Sequence, residues 1–207
     1  YAQLAIHQDL NINDKSWGLF CMTWLNMVLG NGDEVIKYAT ENLQISDSNF
    51  TSLYSIAEAY CRLKDNCDTA VRLYERIWKI SPLHVYPHRY AIALWKTGRK
   101  REAMRLMDSS ILWMKTAVSL GRTPIENYDM AGIYAFMGNK EAAYNILRKP
   151  PEDFFVWGQG LPYLIQTDPL FDNLRNDAEF KLLVQNAINA KSKERDRIRK
   201  MEEEGKL

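Results

Sequence analysis

A short turn followed by a small or β-branched residue and a stretch of helical spacing recurs four times along this chain of 207 residues. The residues that follow the turns are Val35, Ala70, Ala103 and Ala143. They are separated by 35, 33 and 40 residues, and three of the turns contain a glycine, whereas the second, residues 64–68, has none. A period near 34 residues that alternates two helices is typical of a helical solenoid, in which each helix pair stacks on the next. The pattern therefore favours a scaffold for binding over a catalytic site.

Helical spacing covers most of the chain and predicts an all-α fold. Apolar residues recur three and four positions apart, as at Leu53, Ile56 and Tyr60, and no alternating β-branched run indicates a strand. Pro82 ends the fourth predicted helix, and a capping box at residues 123–126 begins the seventh. The predicted helices span residues 16–29, 33–45, 49–63, 68–80, 87–97, 99–120, 124–137 and 140–148.

The segment after Pro151 departs from the repeat and predicts a C-terminal cap. Asp168 and Pro169 suit the N-cap and first positions of a helix, and Asn176 with Glu179 forms a second capping box. Apolar side chains in the same segment can cover the end of a solenoid, which otherwise exposes an unpaired apolar face. These side chains are Phe171, Leu174 and Phe180.

The helix pairs resemble tetratricopeptide repeats, whose second helix has an early small residue, a large residue four positions later and a proline after it. The second unit matches this pattern through Ala70, Tyr74 and Pro82. The third and fourth units match in part, through Gly98, Ala103 and Met107 and through Gly138, Ala143 and Leu147. The first unit departs from the pattern, since Val35 takes the small position and Asp47 stands where the proline would fall. The resemblance implies a right-handed α–α superhelix with C-terminal capping helices.

Two further features extend the resemblance. Residues 1–10 align with residues 38–47, which predicts a truncated repeat at the start and additional sequence upstream. The string from Asp168 to Phe180 is similar to the ends of repeat domains in bacterial signalling proteins, notably adenylate-cyclase-like proteins and winged-helix activators. It implies a non-catalytic interaction or sensory module of a bacterial regulator, in the cytoplasm or, with an upstream membrane helix, in the periplasm. The alternative is a structural scaffold that dimerises a missing upstream output domain.

The resemblance also nominates a partner-binding groove, because the first helices of tetratricopeptide pairs line the concave face. The nominated residues are Trp17, Trp24, Tyr54, Glu58, Arg62, His88, Trp95, Lys96 and Tyr128. Aromatic side chains with a few charges suit recognition of a protein or peptide. The alternative is that the tryptophans and tyrosines form the core between repeats.

Composition narrows the classes of partner. The 27 basic and 26 acidic residues leave a net charge of +1, which argues against a nucleic-acid or anionic-membrane surface. No run approaches the ~20 apolar residues of a membrane span. The three cysteines, Cys21, Cys61 and Cys67, are odd in number and lack a CxxC spacing, so we expect no disulfide framework or zinc knuckle. Buried free thiols and a reducing compartment are the corresponding expectation.

No pattern of residues predicts catalysis, a metal or a cofactor. His84 and His88 have the spacing of a metal pair on a helix, but Pro87 begins the helix between them and no third ligand is near. Capping explains the acidic residues of the C-terminal segment better than a calcium loop does. These residues are Asp168, Asp172, Asp177 and Glu179. The chain thus divides into repeats at 1–149, a capping segment at 150–190 and a solvated charged tail at 191–207.

Overall fold

The computed structural model describes residues 12–80, 86–119, 127–150 and 161–206. Within these ranges every regular element is helical and no strand occurs, which confirms the all-α class. Several sequence features lie outside the described residues. They are the repeat-like start at 1–10, the proline stop at 81–82, the capping box at 123–126, and His84.

The observed helices follow the predicted ones closely. They are α1 (Ile12–Leu29), α2 (Gly32–Ile45), α3 (Phe50–Glu58), α4 (Cys67–Ile80), α5 (Pro87–Lys96), α6 (Lys100–Ser119), α7 (Asn127–Phe136), α8 (Lys140–Leu147), α9 (Leu161–Leu164) and α10 (Ala178–Glu203). A π-helical turn, Ala59–Leu63, continues α3, and a 3-10 turn, Pro169–Phe171, lies between α9 and α10. None of the described helices has the length and apolarity that a membrane span requires.

The chain forms two compact units, Tyr1–Trp113 and Met114–Leu207. The boundary lies inside α6, whereas the repeat, cap and tail boundaries expected from sequence lie at residues 150 and 191 and stay predictions.

In the first unit, helices pack on their neighbours in chain order. α1 packs on α2, α2 on α3, α3 on α4, and α4 on α5. Val35, Ala70 and Ala103, the small or β-branched residues that open the second helices, have no exposed surface. A small side chain lets two helix backbones approach closely while larger neighbours such as Tyr74 fill the next layer. The repeat pattern therefore places these residues at helix contacts, as the sequence predicts.

The turn between α3 and α4 differs from the prediction, because Cys61 and Cys67 form a disulfide. The expectation of no disulfide is therefore wrong, although both sulfurs belong to buried residues; Cys21 is free and half-buried. The physical reason is the turn: the π-helical turn ends α3 and the chain reverses within four residues, which brings the two thiols together. A spacing of six residues carries no such signal in sequence.

The second unit contains the N-cap predicted at Asp168, which begins the 3-10 turn Pro169–Phe171. Asp168 is fully buried, and its carboxylate accepts a hydrogen bond from the backbone N–H of Leu170 at 3.0 Å. Leu170 and Phe171 pack so tightly on Gly132 of α7 that an added Cβ would lie 2.8 Å from Leu170. Asn173 then donates to the carbonyls of Ala135 and Phe136, the last residues of α7, at 3.0 Å. Cap and helix end are therefore joined by both apolar and polar contacts.

The second capping box is wrong. The N-cap of α10 is Asp177 rather than Asn176, and its side chain makes no capping hydrogen bond. Its carboxylate instead accepts from Lys140 at 2.8 Å and from the Tyr144 hydroxyl at 3.0 Å, which ties the start of α10 to α8. The charged tail is helical as far as Glu203, and its side chains are largely exposed.

Candidate interaction surfaces

The nine nominated groove residues fall into three groups. The buried group comprises His88 and Tyr128. The half-buried group comprises Glu58, whose side chain is 13% exposed, with Tyr54, Arg62 and Trp95. The exposed group comprises Trp17, Trp24 and Lys96. Within the exposed group, Trp17 presents most of its side chain to solvent, and Trp24 and Lys96 about a third or slightly more.

Glu58 belongs to a polar network inside the first unit. The hydroxyl of the fully buried Tyr74 donates to Glu58 Oε1 at 2.6 Å, and Arg89 Nη1 lies 3.8 Å from Glu58 Oε2. Burial and the nearby Glu58 carboxylate raise the pKa of Tyr74, so its hydroxyl remains protonated and donates. Glu58 is half-buried and already has two partners within the chain, so we assign it a role in the fold rather than in ligand binding.

An aromatic cluster surrounds this network. The ring of Tyr54 lies 6.0 Å from that of Tyr74 and 5.1 Å from that of Tyr86. Tyr86 in turn meets His88 edge-on at 6.0 Å. Rings at these separations stabilise their helices through packing, so Tyr54 and His88 fit the alternative of a core between helix pairs.

Tyr128 belongs to the cap of the second unit. Its hydroxyl donates to Asp168 at 3.0 Å, and its ring lies edge-on to Phe171 at 5.2 Å. This arrangement satisfies a fully buried carboxylate. The structure gives Tyr128 a structural role inside the second unit.

Helix α1 carries four exposed large apolar side chains. Trp17 is 66%, Trp24 38%, Leu25 48% and Leu29 61% exposed. Trp17 stacks on Phe20 at 5.3 Å, beside a shallow cavity of about 400 Å³ that α1 shares with Asn42, Asn49 and Thr51. Large apolar side chains that remain exposed together mark a candidate contact surface.

A second surface, which the sequence did not predict, is an open groove of about 480 Å³ between α4, α5 and α6. We call it the α4–α6 groove. It is lined by Glu75, Trp78, Lys79, Tyr90, Leu94, Glu102, Arg105 and Leu106. Trp78 follows the apolar spacing of α4 together with Tyr74 and Ile77, but its side chain is 40% exposed, whereas theirs have no exposed surface. The sequence signal that could have indicated this groove was an aromatic residue of the apolar stripe, Trp78, directly followed by the charged Lys79.

A polar network rims one side of this groove. Arg99 binds Glu102 through two hydrogen bonds of 2.9 and 2.8 Å and Glu75 through one of 2.9 Å. The Tyr90 hydroxyl also donates to Glu75, at 3.3 Å. The hydrogen bonds from Arg99 lower the pKa of Glu102, whereas burial, followed by the charge of Glu75, raises the pKa of Tyr90. Glu102 therefore stays ionised, and both carboxylates are already bound within the chain.

The described residues contain no group of three or more His, Cys, Asp or Glu side chains placed to hold a metal ion. The acidic residues of the cap are engaged in other contacts: Asp172 pairs with Arg175 at 2.5 Å, and Glu179 with Arg148 at 2.8 Å. Asp168 and Asp177 make the contacts described above. Comparison of the sequence with protein-family models and with curated proteins finds no match.

Proposed function

We propose that this chain is a non-catalytic protein-interaction module of the tetratricopeptide type, whose helix pairs stack into a right-handed superhelix. The observation that carries the proposal is the packing of α1 to α5 on one another in chain order, with Val35 and Ala70, which open α2 and α4, fully buried. Stacked hairpins bury their apolar faces only against their neighbours and leave an extended surface for a partner. The resemblance to repeat regions of bacterial signalling proteins supports a role in a bacterial regulator.

The disulfide bears on the compartment. Disulfides persist in oxidising environments and are rare in the cytosol. The Cys61–Cys67 bond therefore supports the periplasmic form of the proposal over the cytoplasmic one.

The test uses Lys96, the exposed charged residue of the nominated groove. Its contact with Asp65 is 3.9 Å long and involves a carboxylate that is 94% exposed, so Lys96 contributes little to stability. The chain would serve as bait in a bacterial periplasmic extract alongside Lys96→Glu and a matched variant on α10, Lys181→Glu. We expect one partner protein to be retained by the chain and by Lys181→Glu but lost from Lys96→Glu at an unchanged melting temperature. Capture that ignores both substitutions, or no capture at all, would count against the proposal.

The exposed face of α1 favours a second candidate, self-association of the parent protein. Two tryptophans and two leucines on one helix suit the central part of a dimer interface, where aromatic side chains are enriched. Size-exclusion chromatography with light scattering would compare the chain with Trp17→Glu/Leu29→Glu. A dimer that the double substitution converts to a monomer supports the scaffold, and a monomer at all concentrations eliminates it.

A further inference from the structure

We propose that the α4–α6 groove is a second binding site, and that it takes an acidic peptide segment carrying a bulky apolar side chain. The inference rests on the proposed function in that the chain binds proteins. It concerns a different surface, because six of the eight lining residues belong to α4 and α6, the second helices of their pairs. The resemblance nominated only first-helix residues.

The floor of the groove is apolar and aromatic. Tyr90 and Leu94 of α5 are buried at its base, and Leu106 of α6 is half-buried. Trp78 stands at the edge, with its ring 6.4 Å from that of Tyr90. A cleft of about 480 Å³ is larger than one leucine or phenylalanine side chain. It is therefore wide enough to admit an apolar anchor between the two helices.

The charged residues around the groove determine whether an acidic or a basic ligand is favoured. Lys79, Arg99 and Arg105 face Glu75 and Glu102, three positive groups against two negative ones. Arg99 forms salt bridges with both Glu75 and Glu102. Among the described residues, neither Lys79 nor Arg105 forms a salt bridge, and both side chains are exposed. The groove thus has two exposed cationic side chains that form no salt bridge, although Arg105 lies one helical turn from Glu102 and helps to lower the pKa of that carboxyl.

A carboxylate on the ligand can bind Lys79 and Arg105 without breaking an existing contact. A cationic ligand would have to compete with Arg99 for Glu75 and Glu102, and the paired hydrogen bonds of Arg99 to Glu102 are of the strong charge-assisted kind. Charge complementarity therefore favours acidic segments and disfavours basic ones. The apolar floor requires that the acidic segment also carry a leucine or an aromatic side chain.

The test is a titration of the folded chain with a blocked hexapeptide that has Phe-Leu between two pairs of glutamate. Binding would be followed by nuclear magnetic resonance at the indole N–H of Trp78, assigned from its loss in Trp78→Phe. We expect saturable binding with a Kd of about 1 mM or tighter. The double variant Lys79→Glu/Arg105→Glu should bind at least about tenfold more weakly. The charge-matched double variant on α10, Lys181→Glu/Lys193→Glu, should bind as the chain does.

Two comparison peptides complete the design. A peptide with lysine in place of glutamate, and one with serine in place of Phe-Leu, should each bind at least about tenfold more weakly. Equal binding of the lysine peptide, no shift of the Trp78 signal, or equal loss in both double variants would overturn the inference. Circular dichroism of each variant confirms folding. Because Lys96 lies outside this groove, a negative result here leaves capture through Lys96 intact, so the two proposals fail separately.

Discussion

At the scale of single residues, the turns within the helix pairs depend on one backbone conformation. Gly30, Gly98 and Gly138 have φ of +77°, +86° and +81°, and Asp65 takes the equivalent place in the second turn with φ of +49°. The residue after each glycine donates to a carbonyl five residues back, as Arg99 does to Leu94 at 2.8 Å. After Asp65 the donation reaches six residues back, since the π-helical turn adds one residue. The missing glycine of the second turn is thus accompanied by a wider turn.

The positive φ at these positions predicts that two substitutions change the free energy of unfolding in different directions. Gly98→Ala should lower the free energy of unfolding by about 1 kcal/mol, because alanine resists a positive φ. No atom lies near enough to the added Cβ to contribute a clash. Asp65→Gly should leave the stability unchanged or raise it by up to about 1 kcal/mol, since glycine removes the strain of an aspartate there. Urea unfolding of both variants measures the difference, and a loss in Asp65→Gly as large as in Gly98→Ala would contradict it.

The sequence predicts which residues are buried better than which remain at an edge. Val35, Ala70 and Ala143 are buried as expected, because a small residue at a fixed place in a repeat has few other roles. Trp78 occupies the same apolar stripe as Tyr74, but only contacts with other helices determine that one is exposed and the other enclosed. For the same reason, spacing could not separate Lys96, which is exposed, from the enclosed Glu58 in the predicted groove.

At the scale of elements, the turn from α3 to α4 is fastened covalently. The Cys61–Cys67 disulfide closes a loop that starts in the π-helical turn and ends at the first residue of α4. The disulfide crosses the turn that lacks a glycine. This turn, in which Asp65 takes the positive φ, therefore has an additional, covalent constraint. A disulfide stabilises the folded state because it reduces the conformational entropy of the unfolded chain. A loop of this size contributes about 2 kcal/mol to the free energy of unfolding.

Reduction should therefore destabilise the chain through this one bond. Dithiothreitol should lower the free energy of unfolding by about 2 kcal/mol in the native sequence and in Cys21→Ala, but should have no effect in Cys61→Ala/Cys67→Ala. Urea unfolding with and without the reductant measures this change. Thiol titration of the denatured, unreduced chain should find one reactive group. Three reactive thiols before reduction would contradict the bond.

The positions of the helices were largely predictable from the sequence, whereas the side chains that cap the helix ends were less so. Apolar spacing fixes a helix over several turns, so α2 and α4 begin within one residue of expectation. A helix end depends on one or two side chains that have competing partners. Asp168 caps as predicted because it is buried beside Tyr128, whereas Asp177 is drawn to Lys140 and leaves its helix uncapped. The disulfide escaped prediction because spacing does not reveal how a turn is shaped.

At the scale of the whole molecule, the net charge is close to zero. Individual tyrosine and carboxylate side chains nevertheless have pKa values that folding shifts in opposite directions. Burial chiefly raises the pKa of Tyr74 and Tyr90 in the first unit and of Tyr144 in the second. Hydrogen bonds from basic side chains lower the pKa of Glu102, through Arg99, and of Asp177, through Lys140. Each unit thus contains groups of both kinds.

These directions predict a stability profile with a plateau. A tyrosine whose pKa is raised on folding contributes fully below its unfolded pKa of about 10 and loses its contribution as the pH rises further. A carboxylate whose pKa is lowered on folding contributes above an unfolded pKa of about 4 and loses its contribution as the pH falls. Urea unfolding should therefore give constant stability between about pH 5 and pH 9, with a decline on each side.

Single substitutions test which groups produce each limb of this profile. Tyr74→Phe should lower the plateau by about 1.5–3 kcal/mol, since it removes a buried hydrogen bond to a charged acceptor, and should flatten part of the alkaline decline. Asp177→Asn should flatten part of the acid decline and also the part of the alkaline decline that Tyr144 contributes, since the Asp177 carboxylate helps to raise the pKa of Tyr144. Tyr163→Phe is the matched control, because Tyr163 is exposed and should leave both limbs as they are. An alkaline limb as steep in Tyr74→Phe as in Tyr163→Phe would show that the network at Glu58 is not what holds the first unit together at high pH.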